Sequence, residues 1–582
     1  MLIPIEVTRR PIKHMIARTG RLWSLILVCG VVASVQAQQP VTPAKQTVIV
    51  SSKDDVPAQP VPPVDPLDDD RSVYWTLHDA ITTALENNVD IAIERKNLRI
   101  GEFNLRSAEG VYEPVLLATP SFNSANQPNI GRFSGLSSNE NSTKTSNLSL
   151  NAGVQKQFRT EGGSFTASFD NPRTTSNSAI VSPLYSPQLS FSYTQPLFRN
   201  RRIDFNRLQI LVAKKNLTLT DAQFRQQVIS TIFQVQQAYW NLAYAQRNVS
   251  VQNDGLDLAQ KLVDQNQKQV DVGMLAPLEV DSAKTTLEIR RQALIQAQNT
   301  AFQAETALKN LVVNGTQSPI WSKDIFPTDF FDEQPSGQSL SDDLNDGYSK
   351  RPEVDQFKAQ RHIDKSNIDY YHDQTKPQID LVSSYSIAGA GGTPTSTLTC
   401  PTGSSLASNG LCAPGNISPS VTTSSVNSRF VGGYGTAIGS LLTNKYNTVT
   451  VGLSISFPFH NKTAQANLGK ALATESQTEL QERKQLQTIE AEVRNAYQAV
   501  LLSKKNLDAA RLARQYAEIQ LDGEQKKFAS GLSTTFLVLT QQNALIQAKG
   551  AEISALSAYN TSVAALQQAS GTTLESNEVE IK

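Results

Sequence analysis

An apolar residue recurs at every seventh position from Val228 through Val235, Leu242, Val249, Leu256 and Val263 to Val270. A seven-residue repeat sustained over that distance requires helices packed side by side in the coiled-coil manner. The spacing returns in Leu486, Val493, Val500, Leu507, Leu521 and Phe528, interrupted once by Arg514, and again in Val280, Leu287, Leu294, Ala301 and Leu308. Helical throughout, residues 203–272 would be about 105 Å long. No ordinary globular core has room for such a rod. The long segments are also copies of one another. An offset of 258 puts Ala238 on Ala496, Tyr239 on Tyr497, Asn248 on Asn506 and Ala259 on Ala517. Across a shared glycine, Gly273 on Gly531, the same offset places Val280 on Val538, Ala307 on Ala565 and Leu308 on Leu566. A slightly larger offset superposes Glu113-Pro114 on Lys376-Pro377 and Pro196 on Pro458. The chain is two copies of one helix–strands–helix–turn–helix unit.

The rest of the helical surface is polar but uncharged, with Gln223, Gln226, Gln227, Gln234, Gln236 and Gln237 close together on one segment. A helix of a solid bundle carries a wide apolar stripe; this narrow one suits either a solvated rod or a single-layer wall wet on both faces. The strand-like segments separate the two. Val449, Val451, Leu453, Ile455 and Phe457 alternate with Thr448, Thr450, Gly452, Ser454 and Ser456, and Leu189, Phe191 and Tyr193 with Ser190, Ser192 and Thr194. Segments 148–154 and 164–169 behave similarly, and 379–387 less regularly. Apolar residues alternating with small polar ones fit strands between lipid and a wet lumen. A one-faced soluble sheet has the same period, but its outer surface is not normally made of residues so small. Four to six strands cannot close a membrane barrel, which takes about eight. Several copies must therefore share one barrel, with their helices continuing it as a wall.

The N-terminus bears on where the chain goes. Arg9, Arg10, Lys13, Arg18 and Arg21 precede an apolar run from Leu22 to Val35, and Val35-Gln36-Ala37 offers a small-residue cleavage site. That order reads as a secretory signal over 1–37. Its removal takes five basic residues and one acidic from 53 of each, leaving 48 against 52. No basic excess remains for nucleic acid. No later stretch is apolar for about eighteen residues, the span of a membrane helix, so the exported chain is soluble or enters a membrane as strands. Its expected organisation is a Pro-rich leader at 38–72, a first repeat at 73–315 and a connector at 316–345, then a second repeat at 346–570 and a tail at 571–582. Strands are expected at about 114–198 and 377–459, and long helices at 203–311 and 464–569. Cys29 leaves with the signal. Cys400 and Cys412 remain, twelve apart in a Gly/Ser/Pro-rich segment, and in an exported chain read as a disulfide closing a loop. A zinc site would need histidine neighbours or a second cysteine pair.

At this point the sequence resembles the TolC-type outer-membrane efflux family, over about 73–570. The resemblance rests on the twofold repeat and on two strand-to-helix junctions, Gln195-Pro196-Leu197-Phe198-Arg199-Asn200 and Phe457-Pro458-Phe459-His460-Asn461. It rests equally on the turns Gly273-Met274-Leu275-Ala276-Pro277-Leu278-Glu279-Val280 and Gly531-Leu532-Ser533-Thr534-Thr535-Phe536-Leu537-Val538. It implies a mixed α and β fold: a homotrimer with four strands per protomer in a twelve-stranded outer-membrane β-barrel, continuous with a long periplasmic α-helical barrel. It implies lipid, a periplasmic adaptor protein and an inner-membrane pump as partners, the protein being a passive exit duct in efflux or type I secretion. The glycine turns then mark periplasmic tips where the adaptor docks, with Gly273, Leu275, Ala276 and Pro277 in one and Gly531, Leu532, Ser533 and Thr534 in the other. Family members often place aspartates six and nine residues after the second glycine, as acidic rings at the resting gate. Here Leu537 and Thr540 stand there, so the gate is apolar, formed by Phe528, Phe536 and Leu537 beside Thr540, or an acidic rim from Glu279 and Asp281. Phe536 and Leu537 can also simply pack between helices. The strand-like stretch at 141–171 exceeds what the family needs, and either widens the barrel or forms an extracellular hairpin.

No enzyme constellation is present. His78, His362, His372 and His460 have no partner at ligand spacing, and Gly432-Gly433-Tyr434-Gly435 lacks the Lys-Ser/Thr of a nucleotide loop. No cofactor or metal is expected; with only Met274 left, a thioether path for soft metals is also excluded. A secreted trimeric coiled-coil stalk, adhesin-like, accounts for the heptads and polar loops. It does not account for two equal copies with strands midway and a glycine turn between long helices.

Overall fold

A computed structural model describes residues 48–50, 72–128, 142–329, 339–401, 405–406, 411–415, 417–423 and 425–581. The expected signal sequence lies outside them, as do most of the leader and part of the connector. In the first repeat α1 (Leu77–Asn87) and α2 (Val89–Glu109) lead into β1 (Val115–Pro128), β2 (Ser142–Gln157), β3 (Ser164–Asp170) and β4 (Gln188–Pro196). The long α3 (Phe205–Asp271) and α4 (Pro277–Val312) follow. The second repeat runs α5 (Leu340–Lys350), α6 (Pro352–Gln374), β5 (Gln378–Ala388), α7 (Tyr434–Leu442), β6 (Asn447–Ser456), α8 (Lys462–Ala529) and α9 (Thr535–Ser570). The helix expected near 346–372 is two helices, because Pro352 has no N–H with which to continue α5 and instead opens α6 at its first turn. Likewise 77–105 divides at Asn88, whose side chain accepts from Asp90 N and Ile91 N to start α2.

At 67 and 68 residues, α3 and α8 are each about 100 Å long. Their heptad residues are the buried ones: Val228, Val235, Leu242 and Val263 on α3, and Val493, Val500, Leu507, Leu521 and Phe528 on α8. The helices form one layer. Toward the turns its order is α4, α3, α9, α8; toward the sheet it is α2, α3, α6, α8. Midway along α3, α1 and the pair Ser72–Trp75 and Asp324–Pro327 cover Val228, Val235, Tyr239 and Leu242. Tyr239 is fully buried there and donates to Trp75 O or Asp329 Oδ2, each at 3.0 Å. Burial, helped by the Asp329 carboxylate, pushes its phenol well above the ordinary tyrosine range, so it stays a donor.

The sheet is an antiparallel meander in the order β1–β2–β3–β4–β5–β6. Three of its strands continue past a break without slipping. Ala152 faces Phe169 and Ser149 faces Pro172, so Pro172–Ser176 extends β3. Asp170 faces Gln188 and Arg173 faces Tyr185, so Val181–Tyr185 precedes β4 in the same register. Ala388 faces Gln188 and Gly391 faces Tyr185, so Gly391–Pro394 extends β5 across the break, its register shifting only between Gly392 and Pro394. The stretch expected at 141–171 therefore lies within the sheet, as β2 and most of β3. Within this meander, β1 and β6 are the two edge strands, each with one side unpaired.

Between β5 and β6, Cys400 and Cys412 are joined, with Cα atoms 5.6 Å apart. The bond ties down a loop that shares no residue with the helices or the main sheet. Unreduced denatured protein is expected to show no free thiol by thiol titration, and Cys400→Ser with Cys412→Ser to leave single-channel conductance unchanged.

Candidate functional site

The two turns at the far end of the layer are built alike. Gly273 and Gly531 take φ of +74° and +75°, the left-handed conformation that glycine adopts without strain. Each ends its helix in a Schellman arrangement: Met274 N donates to Gln269 O at 2.8 Å, and Leu532 N to Lys527 O at 2.9 Å. The restarts differ. Pro277 occupies the first turn of α4 after Ala276, which offers no side-chain cap. Thr534 caps α9 by accepting from Leu537 N, while Ser533 donates to Glu524. That hydroxyl and the Lys527 ammonium hold the Glu524 carboxyl below its ordinary range.

Polar and apolar contacts bring both turns together. Leu262, Phe528, Val538 and Leu539 form one cluster across α3, α8 and α9. Beside it Asn266 is fully buried, its amide 3.3 Å from Glu279 O and 3.4 Å from Thr535 Oγ1. Asn266 thus bridges the first turn to the second. No local pattern points to it, because a lone asparagine on a glutamine-rich helix reads as surface. Further along the same seam Asp254 pairs with Lys549 at 2.9 Å and Arg290 donates to Asn543.

Of the residues expected at a gate, Phe528 is only 5% exposed and is committed to the cluster just described. It was expected at the gate because it lies close to the turn, but it occupies the heptad position that faces α9 and is buried against Leu262, Val538 and Leu539. Phe528→Ala is therefore expected to cost about 3–5 kcal/mol of stability, read as a lower melting temperature, without changing open-channel conductance. Phe536 and Leu537, on the first turn of α9, are 72% and 43% exposed. Thr540 is exposed, and its hydroxyl donates to Phe536 O at 2.8 Å. Glu279 is half-buried and Asp281 exposed. At the tips Leu275 is half-buried. Ala276 and Pro277 are exposed, and the large exposed apolar residues of that turn are Val272, Met274 and Leu278, matched on the second turn by Leu532.

At the opposite end the junction residues turn strand into helix. Pro196 closes β4 opposite Asp380, and Pro458 follows β6. Asn200 and Asn461, four and three residues beyond these prolines, both adopt positive φ, which asparagine tolerates better than most residues. Asp204 then caps α3, accepting from Arg207 N at 2.8 Å and pairing with its guanidinium at 2.9 Å.

The family model for outer membrane efflux proteins matches residues 80–313 and 416–572, which include both long helical hairpins and both turns. The chain belongs to the outer membrane efflux protein family. It is an efflux channel protein of the outer membrane and not an enzyme. Solved outer-membrane proteins share the fold at low identity. VceC of Vibrio cholerae is 15% identical, covering 85% of this chain and 96% of its own, with a TM-score of 0.57. CmeC of Campylobacter jejuni is 14% identical, covering 91% and 98%, also at 0.57. The open state of MtrE of Neisseria gonorrhoeae is 16% identical, covering 90% and 98%, at 0.53. No curated protein sequence matches the chain. The family match agrees with the resemblance seen in the sequence. None of the described helices is long and apolar enough to cross a membrane.

Proposed function

We propose that three copies of this chain form the exit duct of a tripartite efflux or type I secretion system in a Gram-negative outer membrane. The duct is passive, closed at rest at its periplasmic helical tips, and recruited there by an adaptor and an inner-membrane pump. The observation that carries this reading is that one protomer is an incomplete wall, unpartnered along the same two sides from end to end. One side carries Ile93 and Ile100 on α2, Ile295 and Phe302 on α4, and the free edge of β1; the other carries Leu512 and Ile519 on α8 and the free edge of β6. Each of these exposed pairs is seven residues apart, the spacing that a neighbouring coiled-coil helix covers. Setting one side against the other is a head-to-tail contact that closes as a ring. Twelve helices spaced by 8–10 Å enclose a tube about 35 Å across. In this reading 73–315 and 346–570 each supply half of a protomer's wall, and 316–345 girdles it outside.

Planar-bilayer recording of the purified oligomer tests the proposal. Discrete conductance from protein that needs detergent for extraction is expected. Recovery in a soluble fraction without channel activity would overturn it in favour of a stalk.

A further inference from the structure

We infer that each protomer contributes six strands to the membrane wall, so that three copies close an eighteen-stranded barrel. Since diameter grows about linearly with strand number, that barrel is about one and a half times as wide as a twelve-stranded one. The inference rests on the trimeric duct proposed above and goes beyond it, because the family resemblance implies only four strands per protomer.

The two additional strands behave as wall and not as an appendage. Following the registers across the sheet, Leu116, Val154, Ala167, Phe191, Tyr385 and Val449 fall in one row, one residue from each of the six strands. The neighbouring row on the opposite face reads Leu117 on β1, then Gly153, Ser168, Ser190, Ser386 and Thr448 from β2 to β6, with Ser168 and Ser190 hydroxyls 2.7 Å apart. Through β2 and β3 the apolar residues Leu148, Leu150, Val154, Phe165, Ala167 and Phe169 keep to one face, which Lys156 and Arg173 share, and the other face is polar. An extracellular hairpin has no reason to keep that division in step with the membrane strands, because a one-residue slip would reverse it.

The turn between β2 and β3 is also at the wrong end for an extracellular hairpin. It is docked on the strand-to-helix junction, where Gln195 donates to Glu161 O at 2.8 Å, Arg201 pairs with Glu161 at 3.2 Å and Asn206 donates to Gln157 at 2.7 Å. Gly162 fits there because a Cβ would meet Asn200 O and Arg207 at 2.8 Å. So β2 and β3 run the full height between this junction and the far end of the sheet, as the other strands do.

The widths agree as well. Strands 4.7–4.9 Å apart and tilted by 35–45° take up about 6 Å of circumference each, so six span about 38 Å. Four helices at 8–10 Å span about 32–40 Å. Six strands thus meet the four-helix wall flush, whereas four would cover only about 25 Å. Being even in number, the six leave β1 and β6 antiparallel, so that β6 of one copy pairs with β1 of the next in the same sense as every other pair. The occupant of each free edge is therefore a second copy of this chain. The membrane section ceases to limit cargo size, and selection by size falls to the helical tips.

Electron cryomicroscopy of the intact protein in lipid nanodiscs gives the count directly. Six strands per protomer in the wall are expected. A trimer with twelve strands and residues 142–176 projecting from it would overturn the inference and leave the duct intact. A ring of other than three copies with six strands each would support the inference and overturn the trimer. Labelling in membranes reads the same point independently. A charged maleimide is expected to modify Ser168→Cys at least about tenfold faster than Ala167→Cys, which faces hydrocarbon. Equal rates at the two positions would place β3 in water on both faces and overturn the inference.

Discussion

Replacing Phe536 and Leu537 together by serine is expected to raise the resting conductance of the channel by at least about tenfold in planar bilayers. A ring of apolar side chains closes a pore by excluding water, and polar side chains of smaller volume let it wet. Both residues stand on the first turn of α9, exposed in one protomer with no intrachain cluster to hold them. The exposed Thr540 hydroxyl donates to Phe536 O and keeps only its acceptor capacity toward water at that level. Three copies would bring three such pairs around one axis. The same reading expects millimolar divalent cations to block the unmodified channel only weakly. Strong block that disappears on Glu279→Gln would mean that the first-repeat carboxylates form the constriction. Phe528→Ala separates the gate from general loosening, because it empties the cluster behind the turn without touching the exposed pair.

The long helices were legible because a heptad states both the period and the buried face, and the repeat gave a second reading of each turn. What was not legible depended on partners far away in sequence. Arg514 breaks the heptad of α8, and the reason is an ion pair with Glu552 on α9 together with one to Glu518. No local pattern announces that pairing. Asn266 is buried only because α4 and α9 both arrive at its side chain. The strands were recognised by alternation, but alternation is silent about order. Only the registers place β2 and β3 inside the sheet, between β1 and β4. Proximity to the glycines also says nothing of exposure: Phe528 is buried by the heptad it belongs to, and Leu275 is half-buried where Met274 and Leu278 are exposed.

Met274→Asp combined with Leu532→Asp is expected to abolish export while leaving the yield of folded oligomer unchanged. Met274, Leu278 and Leu532 are each nearly four-fifths exposed, at the end of the long helices farthest from the sheet. Apolar side chains there have no lipid to enter, and clustered apolar residues exposed on two adjacent turns mark a partner surface. Covering one such side chain contributes about 1.5–3 kcal/mol, and a buried aspartate in its place opposes docking further. A loss of about 2 kcal/mol at one contact weakens it roughly thirtyfold. Repeated around a ring of three copies, that loss removes the avidity on which assembly depends. Because the glycine turns themselves are untouched, the helices end as before and the oligomer forms. The measurement is export from cells beside cross-linking of the adaptor to the tips. Export that persists in the double variant would exclude the tips as the docking surface, whereas lost export with retained cross-linking would assign these residues to opening and not to attachment.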